Sequence, residues 1–224
     1  MKVALVYTGT TPELVEFVEK EIRKHLSKDV ELLQYEDPTI LDDAVKAGYV
    51  TRLAAVKLIS MYMKAVKEGA EAILNLCSSV GEVADAAQDI AKYIGVPIVR
   101  VDEEMCREAV RKGKRIGVMA TLSSTLNPTK NTIIRVAREL GKEVVLIDAL
   151  VEGAFGLNQE QFKSLMLEKA AEIVDDVDLI LFAQGSMAYC EEIISDEYDK
   201  LVLSSPRFGA KALKEALVAR GFEF

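Results

Sequence analysis

Seven short apolar runs punctuate the chain, at 3–7 (VALVY), 30–34 (VELLQ), 71–76 (EAILNL), 97–101 (PIVRV), 116–120 (IGVMA), 144–148 (VVLID) and 178–183 (DLILFA). Each is the length of a buried strand, and the segments separating them carry apolar residues at helical spacing. Strands alternating with helices predict a parallel α/β sheet. Two of the helices carry explicit start signals. Thr11 and Pro12 precede Leu14, Val15, Val18 and Ile22, and Asn127 and Pro128 precede Ile133, Ile134, Ala137 and Leu140. Proline at the first helical position loses no hydrogen bond, so both helices are expected to begin there.

The pattern occurs twice. VALVYTGTTP (3–12) and IGVMATLSST (116–125) share a strand, a threonine at its end (Thr8, Thr121) and a run of small and hydroxyl residues before a helix. ILNLCSSV, from Ile73, and ILFAQGSM, from Ile180, share a strand, a small polar turn and a helix, so that the two devices recur in the same order at offsets of 113 and 107 residues. Such duplication predicts an α/β chain of two pseudo-symmetric lobes, each a parallel sheet flanked by helices. The first lobe is expected to comprise residues 1–101 and 203–224, and the second 102–202. The last helix, with Ala212, Leu213, Ala216 and Leu217 on one face, returns to the first lobe. Ligands of parallel sheets sit at the carboxyl ends of strands. The default site is therefore a cleft between lobes lined by Thr8–Thr11, Cys77–Val80, Thr121–Thr125 and Gln184–Ser186.

Composition narrows the function classes. The 224 residues are half apolar, 29% charged and free of low-complexity tracts, as in an ordinary globular chain. A formal net charge of −8 argues against nucleic acid or an acidic membrane as partner, because such binding depends on basic side chains that neutralise phosphates. The basic run Arg111–Arg115 reads as a solvated turn. Three cysteines, 29 and 84 residues apart, match no zinc spacing, and an odd count without a signal peptide fits a reducing cytoplasm. The lone histidine, His25, lies near the charged end of the first helix and forms no metal cluster. No dinucleotide fingerprint, phosphate-binding P-loop, zinc-protease or esterase motif is present.

Cys77 is the remaining chemical candidate. It is expected where a strand ends and a helix of about residues 82–93 begins, so that unpaired N–H groups and the helix dipole favour its thiolate. Ser78, Ser79 and the backbone of the turn can hold a carboxylate or stabilise an enediolate. Such a site removes or adds a proton beside a carboxylate. The bland alternative is a core thiol, since free cysteine is among the most buried residue types. Cys106 has the spacing of a core residue. Cys190 shares a helix face with Ser186 and is the candidate for a second acid or base. The segment 60–66 (SMYMKAV) reads as a helix face packed on the sheet, with Tyr62 as a residue that can rim a pocket.

With these segments in order, the chain resembles the cofactor-independent aspartate/glutamate/hydantoin racemase superfamily. The resemblance rests on ALVYTGTTPE, ILNLCSSVG, IGVMATLSST, VEGAF (151–155), LILFAQGSMA and SSPR, spread over nearly the whole length. It implies two lobes about a cleft, no pyridoxal phosphate or metal, a small carboxylate-bearing substrate, and a homodimer or higher homo-oligomer. It also implies a cysteine from each lobe, one on either side of the substrate's Cα. Cys77 matches the first, although Ser78 and Ser79 stand where amino-acid racemases carry Asn–Thr. The AQGS segment (183–186) occupies the place of the second, with Gln184 the internal-repeat equivalent of Cys77, and glutamine cannot serve as a comparable acid or base. The expected function is an isomerase or racemase using Cys77 as base or nucleophile. Its substrate would be bound by Thr8, Thr10, Ser78, Ser79, Thr121, Gln184, Gly185 and Ser186. A single-thiol decarboxylase or other lyase, and a non-catalytic small-carboxylate binder, are the alternatives.

Overall fold

The apolar runs become strands, and an eighth strand joins them. In the computed structural model, which describes residues 1–224, the chain divides into two compact units: residues 1–101 with 206–224, and residues 102–205. In the first unit the order is β1 (Lys2–Tyr7), α1 (Pro12–Arg23), β2 (Glu31–Glu36), α2 (Pro38–Ala47), α3 (Arg52–Lys67), β3 (Ala70–Asn75), a 3-10 turn (Ser78–Val80), α4 (Gly81–Ala86), α5 (Gln88–Ile94) and β4 (Ile98–Arg100). The second unit runs α6 (Glu103–Lys112), β5 (Arg115–Ala120), α7 (Ser123–Glu139), β6 (Val145–Leu150), α8 (Gln159–Ile173), β7 (Leu179–Phe182), a 3-10 segment (Gly185–Cys190), α9 (Glu191–Tyr198) and β8 (Leu201–Leu203). Helix α10 (Ser205–Ala219) then returns the chain to the first unit.

Both units hold a four-stranded parallel sheet of the same order, β2-β1-β3-β4 and β6-β5-β7-β8. The chain moves outward from β1 in one direction and then crosses to its other side, so the switch point of the first sheet lies between β1 and β3. In the second it lies between β5 and β7. Loops diverge at such points and leave space at the carboxyl ends of the strands.

Burial follows the two-residue period of a strand. Along β1, Ala4 and Val6 enter one core cluster with Ile73, Leu58 and Tyr62, whereas Val3, Leu5 and Tyr7 enter another with Leu74, Ile22 and Leu213. Helices thus cover both faces, which explains strands that are apolar throughout. In the second unit Met119, Ile180 and Phe182 form a cluster with Phe162, Met166, Cys190 and Ile194. No helix is long and apolar enough to cross a membrane.

Helix starts depart from the expectation in one case. Helix α1 begins at Pro12, and the Thr11 hydroxyl accepts from the Leu14 N–H at 3.2 Å. Helix α7 begins at Ser123 instead, with Pro128 inside it. The Thr125 and Leu126 N–H groups reach the Leu122 carbonyl at 3.1 and 3.2 Å, so the helix is nucleated before the proline. Pro128 then sits in the second turn, where it cannot donate to the Ser124 carbonyl, and the helix continues past that one missing backbone hydrogen bond. The helix expected over 82–93 is divided between α4 and α5. The Gln88 side chain donates to the Ala84 carbonyl at 2.7 Å and to the Ile98 carbonyl at 2.8 Å, capturing an acceptor that an uninterrupted helix would give to a backbone N–H.

Helix α10 docks through Ala210, Leu213 and Leu217, with Gly209 against Val101. A Cβ at Gly209 would lie 2.7 Å from Val101 Cγ2 and 2.9 Å from its Cα, and backbone cannot give way as a flexible side-chain tip can. Gly209→Ala is expected to cost about 1–3 kcal/mol. For a chain of this size that lowers Tm by about 2–4 °C per kcal/mol. Calorimetry checks this, and an unchanged Tm would contradict the close approach.

Candidate functional site

Parallel register builds the candidate site. Val6 of β1 is paired with Asn75 of β3. The Leu76 N–H continues the ladder to the Val6 carbonyl at 2.9 Å. Two residues beyond the Val6–Asn75 pair, on either strand, stand Thr8 and Cys77. The Thr8 side chain hydrogen-bonds to the Cys77 sulfur, as do the backbone N–H groups of Ser79 and Val80 and the Ser79 hydroxyl. Cys77 is extended, with φ −125° and ψ 112°, and immediately precedes the 3-10 turn whose amides fold back toward it.

Cys77 is partly buried, Thr8 2% exposed, Ser78 5% and Ser79 3%. Desolvation is the largest influence on the thiol and raises its pKa above the ordinary value. The hydrogen bonds from Thr8, Val80 and Ser79 pull the other way without cancelling it. This corrects the expectation that the helix terminus makes Cys77 a ready thiolate. The chain beyond Cys77 forms a single 3-10 turn and a six-residue helix, too short for a strong dipole. The resting group is a thiol, with donors already placed for the anion it becomes.

Beneath the turn, polar groups are paired. The Tyr62 hydroxyl donates to Asn75 Oδ1 at 3.0 Å, and Asn75 Nδ2 donates to the Cys77 carbonyl at 3.0 Å. The Arg100 side chain, 4% exposed, forms an ion pair with Asp85 at 2.6 Å. Its guanidinium packs on Gly81 so closely that a Cβ there would overlap it. Tyr62 is fully buried in the core. It therefore does not rim a pocket, which corrects the second expectation for this segment.

The second unit has the equivalent corner. Met119 of β5 pairs with Phe182 of β7, and two residues beyond lie Thr121 and Gln184. The Gln184 Oε1 accepts from the Thr121 N–H at 2.6 Å, and Thr121 Oγ1 lies 3.0 Å from Oε1 and 2.9 Å from Nε2. Threonine therefore meets a thiol in one corner and a carboxamide in the other. Gly185 and Ser186 come directly after Gln184, both partly exposed. Thr10, at the first corner, is exposed and donates to Glu36 at 2.9 Å.

Cys190 lies in the apolar cluster of the second unit, 1% exposed, and burial pushes its thiol up to about 11. The charge of Lys163 favours the thiolate but is outweighed by burial, so the placement does not suit a second acid or base. Cys106 is fully buried on α6, as its spacing predicts, and His25 lies just past α1. No cluster of His, Cys, Asp or Glu side chains is arranged to hold a metal ion. Sequence reasoning missed Asn75 and the Arg100–Asp85 pair, and it placed Tyr62 at a rim and not beneath the turn. Within the expected run Thr121–Thr125 it did not single out Ser124, whose buried hydroxyl has no hydrogen-bond partner in the first turn of α7. The hydroxyl-rich run from Thr121 to Thr125 was the available signal for Ser124.

Comparison with known proteins agrees with this architecture. Allantoin racemase from Klebsiella pneumoniae superposes with a TM-score of 0.70 at 16% identity, covering 99% of this chain and 89% of that one. Glutamate racemase from Bacillus anthracis gives a TM-score of 0.73 at 16% identity, with 98% and 82% coverage. Aspartate racemase from Picrophilus torridus gives 0.65 at 17% identity, with 98% and 93% coverage. At such identities the likeness establishes the fold alone. Among curated protein sequences none matches the chain significantly. At the level of families, residues 3–213 match the Asp/Glu/Hydantoin racemase family. With a match that spans both sheets and both strand-end corners, the chain belongs to the Asp/Glu/hydantoin racemase family.

Proposed function

We propose that the protein is a cofactor-independent isomerase or racemase acting at the carbon beside a carboxylate or related carbonyl of a small substrate, with Cys77 as the base. The observation that supports this reading is the set of donors converging on one sulfur, from Thr8, Ser79 and Val80, at the switch point of a parallel sheet. Hydrogen bonds to a sulfur favour its anion, which is the form that removes a proton.

In the proposed reaction the Cys77 thiolate takes the proton from the substrate carbon, and the electron pair moves toward the carboxylate or carbonyl oxygen. The Ser78 hydroxyl, which is not among the groups bonded to the sulfur, is proposed to stabilise the charge that develops there, joined by the Thr8 and Ser79 donors as the sulfur gains its proton and releases them. The same proton returned by Cys77 would regenerate the substrate, so net inversion is completed by a proton from a solvent water on the opposite face of that carbon, and the hydroxide left behind takes the proton from the Cys77 thiol. In the second unit, the corner of Thr121, Gln184, Gly185 and Ser186 presents hydroxyl, amide and carboxamide groups of the kind that hold the polar groups of a small ligand. The buried, unpartnered hydroxyl of Ser124 is a further donor for that role. A carboxamide does not titrate near neutrality, so Cys77 is the one titrating side chain assigned to the reaction, with solvent water as the other proton carrier.

Two outcomes test the reading. In D2O, a panel of amino acids, hydantoins and 2-substituted diacids is expected to contain a substrate whose Cα hydrogen exchanges, followed by proton NMR. Cys77→Ser is expected to slow that exchange by about 10²–10⁴-fold, the range for loss of an acid–base group. Exchange unaffected by the substitution would remove Cys77 from the reaction, and CO2 release without exchange would favour a lyase. Because burial raises the thiol's pKa, only a small fraction of Cys77 is ionised at neutrality, and that fraction grows with pH. The value of kcat/KM is thus expected to rise about tenfold per pH unit from pH 7 toward 9. A flat profile there would contradict a base that begins as a thiol.

A further inference from the structure

We infer that Tyr62 and Asn75 form a buried clamp that positions the Cys77 turn, making both positioning residues for the thiol. The assignment rests on the proposed role of Cys77. Asn75 is 1% exposed and Tyr62 fully buried, and the side chains use each other to satisfy their polar atoms. The direction of the hydrogen bonds is determined. Only Nδ2 can donate to the Cys77 carbonyl, so Oδ1 faces Tyr62 and the phenol must be the donor. The phenol's pKa is raised, principally by desolvation, which keeps that donor proton in place at all working pH values.

The clamp acts through peptide geometry. No peptide bond is cis, so the Ser78 N–H points opposite to the Cys77 carbonyl. Holding that carbonyl toward Asn75 fixes the peptide plane on which the 3-10 turn starts. The Ser79 and Val80 amides that reach the sulfur belong to the same turn. If the carbonyl were free to rotate, those amides would lose their alignment with the anion.

The duplicated corner supplies an independent comparison. Asn75 pairs with Val6, and the position of the same register in the second unit is Phe182, paired with Met119. Phe182 is fully buried in an apolar cluster and can donate nothing. The corner with a thiol has the amide and phenol beneath it, and the corner with Gln184 has a hydrocarbon ring. A buried polar pair is costly compared with an apolar one unless fully bonded, so its presence under the thiol alone points to a role there.

The test reads the thiol directly and needs no substrate. Iodoacetamide alkylation of Cys77 is measured against pH by peptide mass spectrometry, with Cys106 and Cys190 shielded by burial at 0% and 1% exposure. The ionisable groups near Tyr62 and the thiol are Arg100 of β4 and Asp85 of α4, and both remain unaltered. Tyr62→Phe removes one hydroxyl. The double variant Tyr62→Phe with Asn75→Leu replaces the pair with apolar groups of similar shape, which leaves no unpaired side-chain polar atom and frees the Cys77 carbonyl from its partner. Both are expected to slow alkylation at pH 8 by about tenfold and move its midpoint about one pH unit upward. Tyr7→Phe, which removes a buried hydroxyl that has no partner, is expected to leave the profile unchanged. Stable variants with the wild-type profile would overturn the clamp. A lower Tm with an unshifted midpoint would do so as well, since it marks a structural role only. Cys77→Ser with undiminished substrate exchange would instead defeat the proposed function while leaving the clamp's own result intact.

Discussion

Parallel pairing carries two strands in step, so whatever lies just past the last ladder hydrogen bond of one lies beside its counterpart on the other. Everything proposed for this protein depends on that constraint. The pair Val6–Asn75 delivers Thr8 to Cys77, and Met119–Phe182 delivers Thr121 to Gln184. The core enforces the register, because a one-residue slip would exchange the faces of β1 and bury the wrong side chains in both clusters. A local contact at the thiol is in this sense held by the packing of an entire sheet.

The thiol itself stands between opposed effects. Burial disfavours the anion, and the donors from Thr8, Ser79 and Val80 favour it. The balance leaves a protonated resting group whose solvation shell, as an anion, has been replaced by fixed protein dipoles. For a base that must take a proton from carbon, this is a workable compromise. A thiolate stabilised far below neutrality would be present in abundance but would bind a proton weakly, whereas an unassisted buried thiol would never ionise.

Much of the fold was legible because its code is periodic. The apolar runs and the repeated strand–turn segments pointed to two parallel sheets, and the position of Cys77 at a strand end identified one corner. The exceptions have definite causes. Strand β8 is only Leu201–Leu203, too short to register as a run. The start of α7 was displaced because Pro128 is tolerated inside the helix. Tyr62 looked like a rim residue because periodicity gives the face of a helix but not the depth at which it packs. Asn75 was invisible as a partner because its meaning depends on α3 passing beneath β3. The raised pKa of Cys77 was missed for a related reason, since desolvation is a property of packing that no local motif expresses.

The central claim is that the proposed chemistry resides at the Cys77 corner, whose donors converge on the sulfur, and not at the carboxamide corner of the second unit. It is tested most directly by comparing Cα hydrogen exchange in D2O for Cys77→Ala and Gln184→Ala, each at saturating substrate. The account predicts that exchange disappears in the first and persists within about tenfold in the second, which removes no titrating group. Loss of exchange in Gln184→Ala with its retention in Cys77→Ala would contradict it.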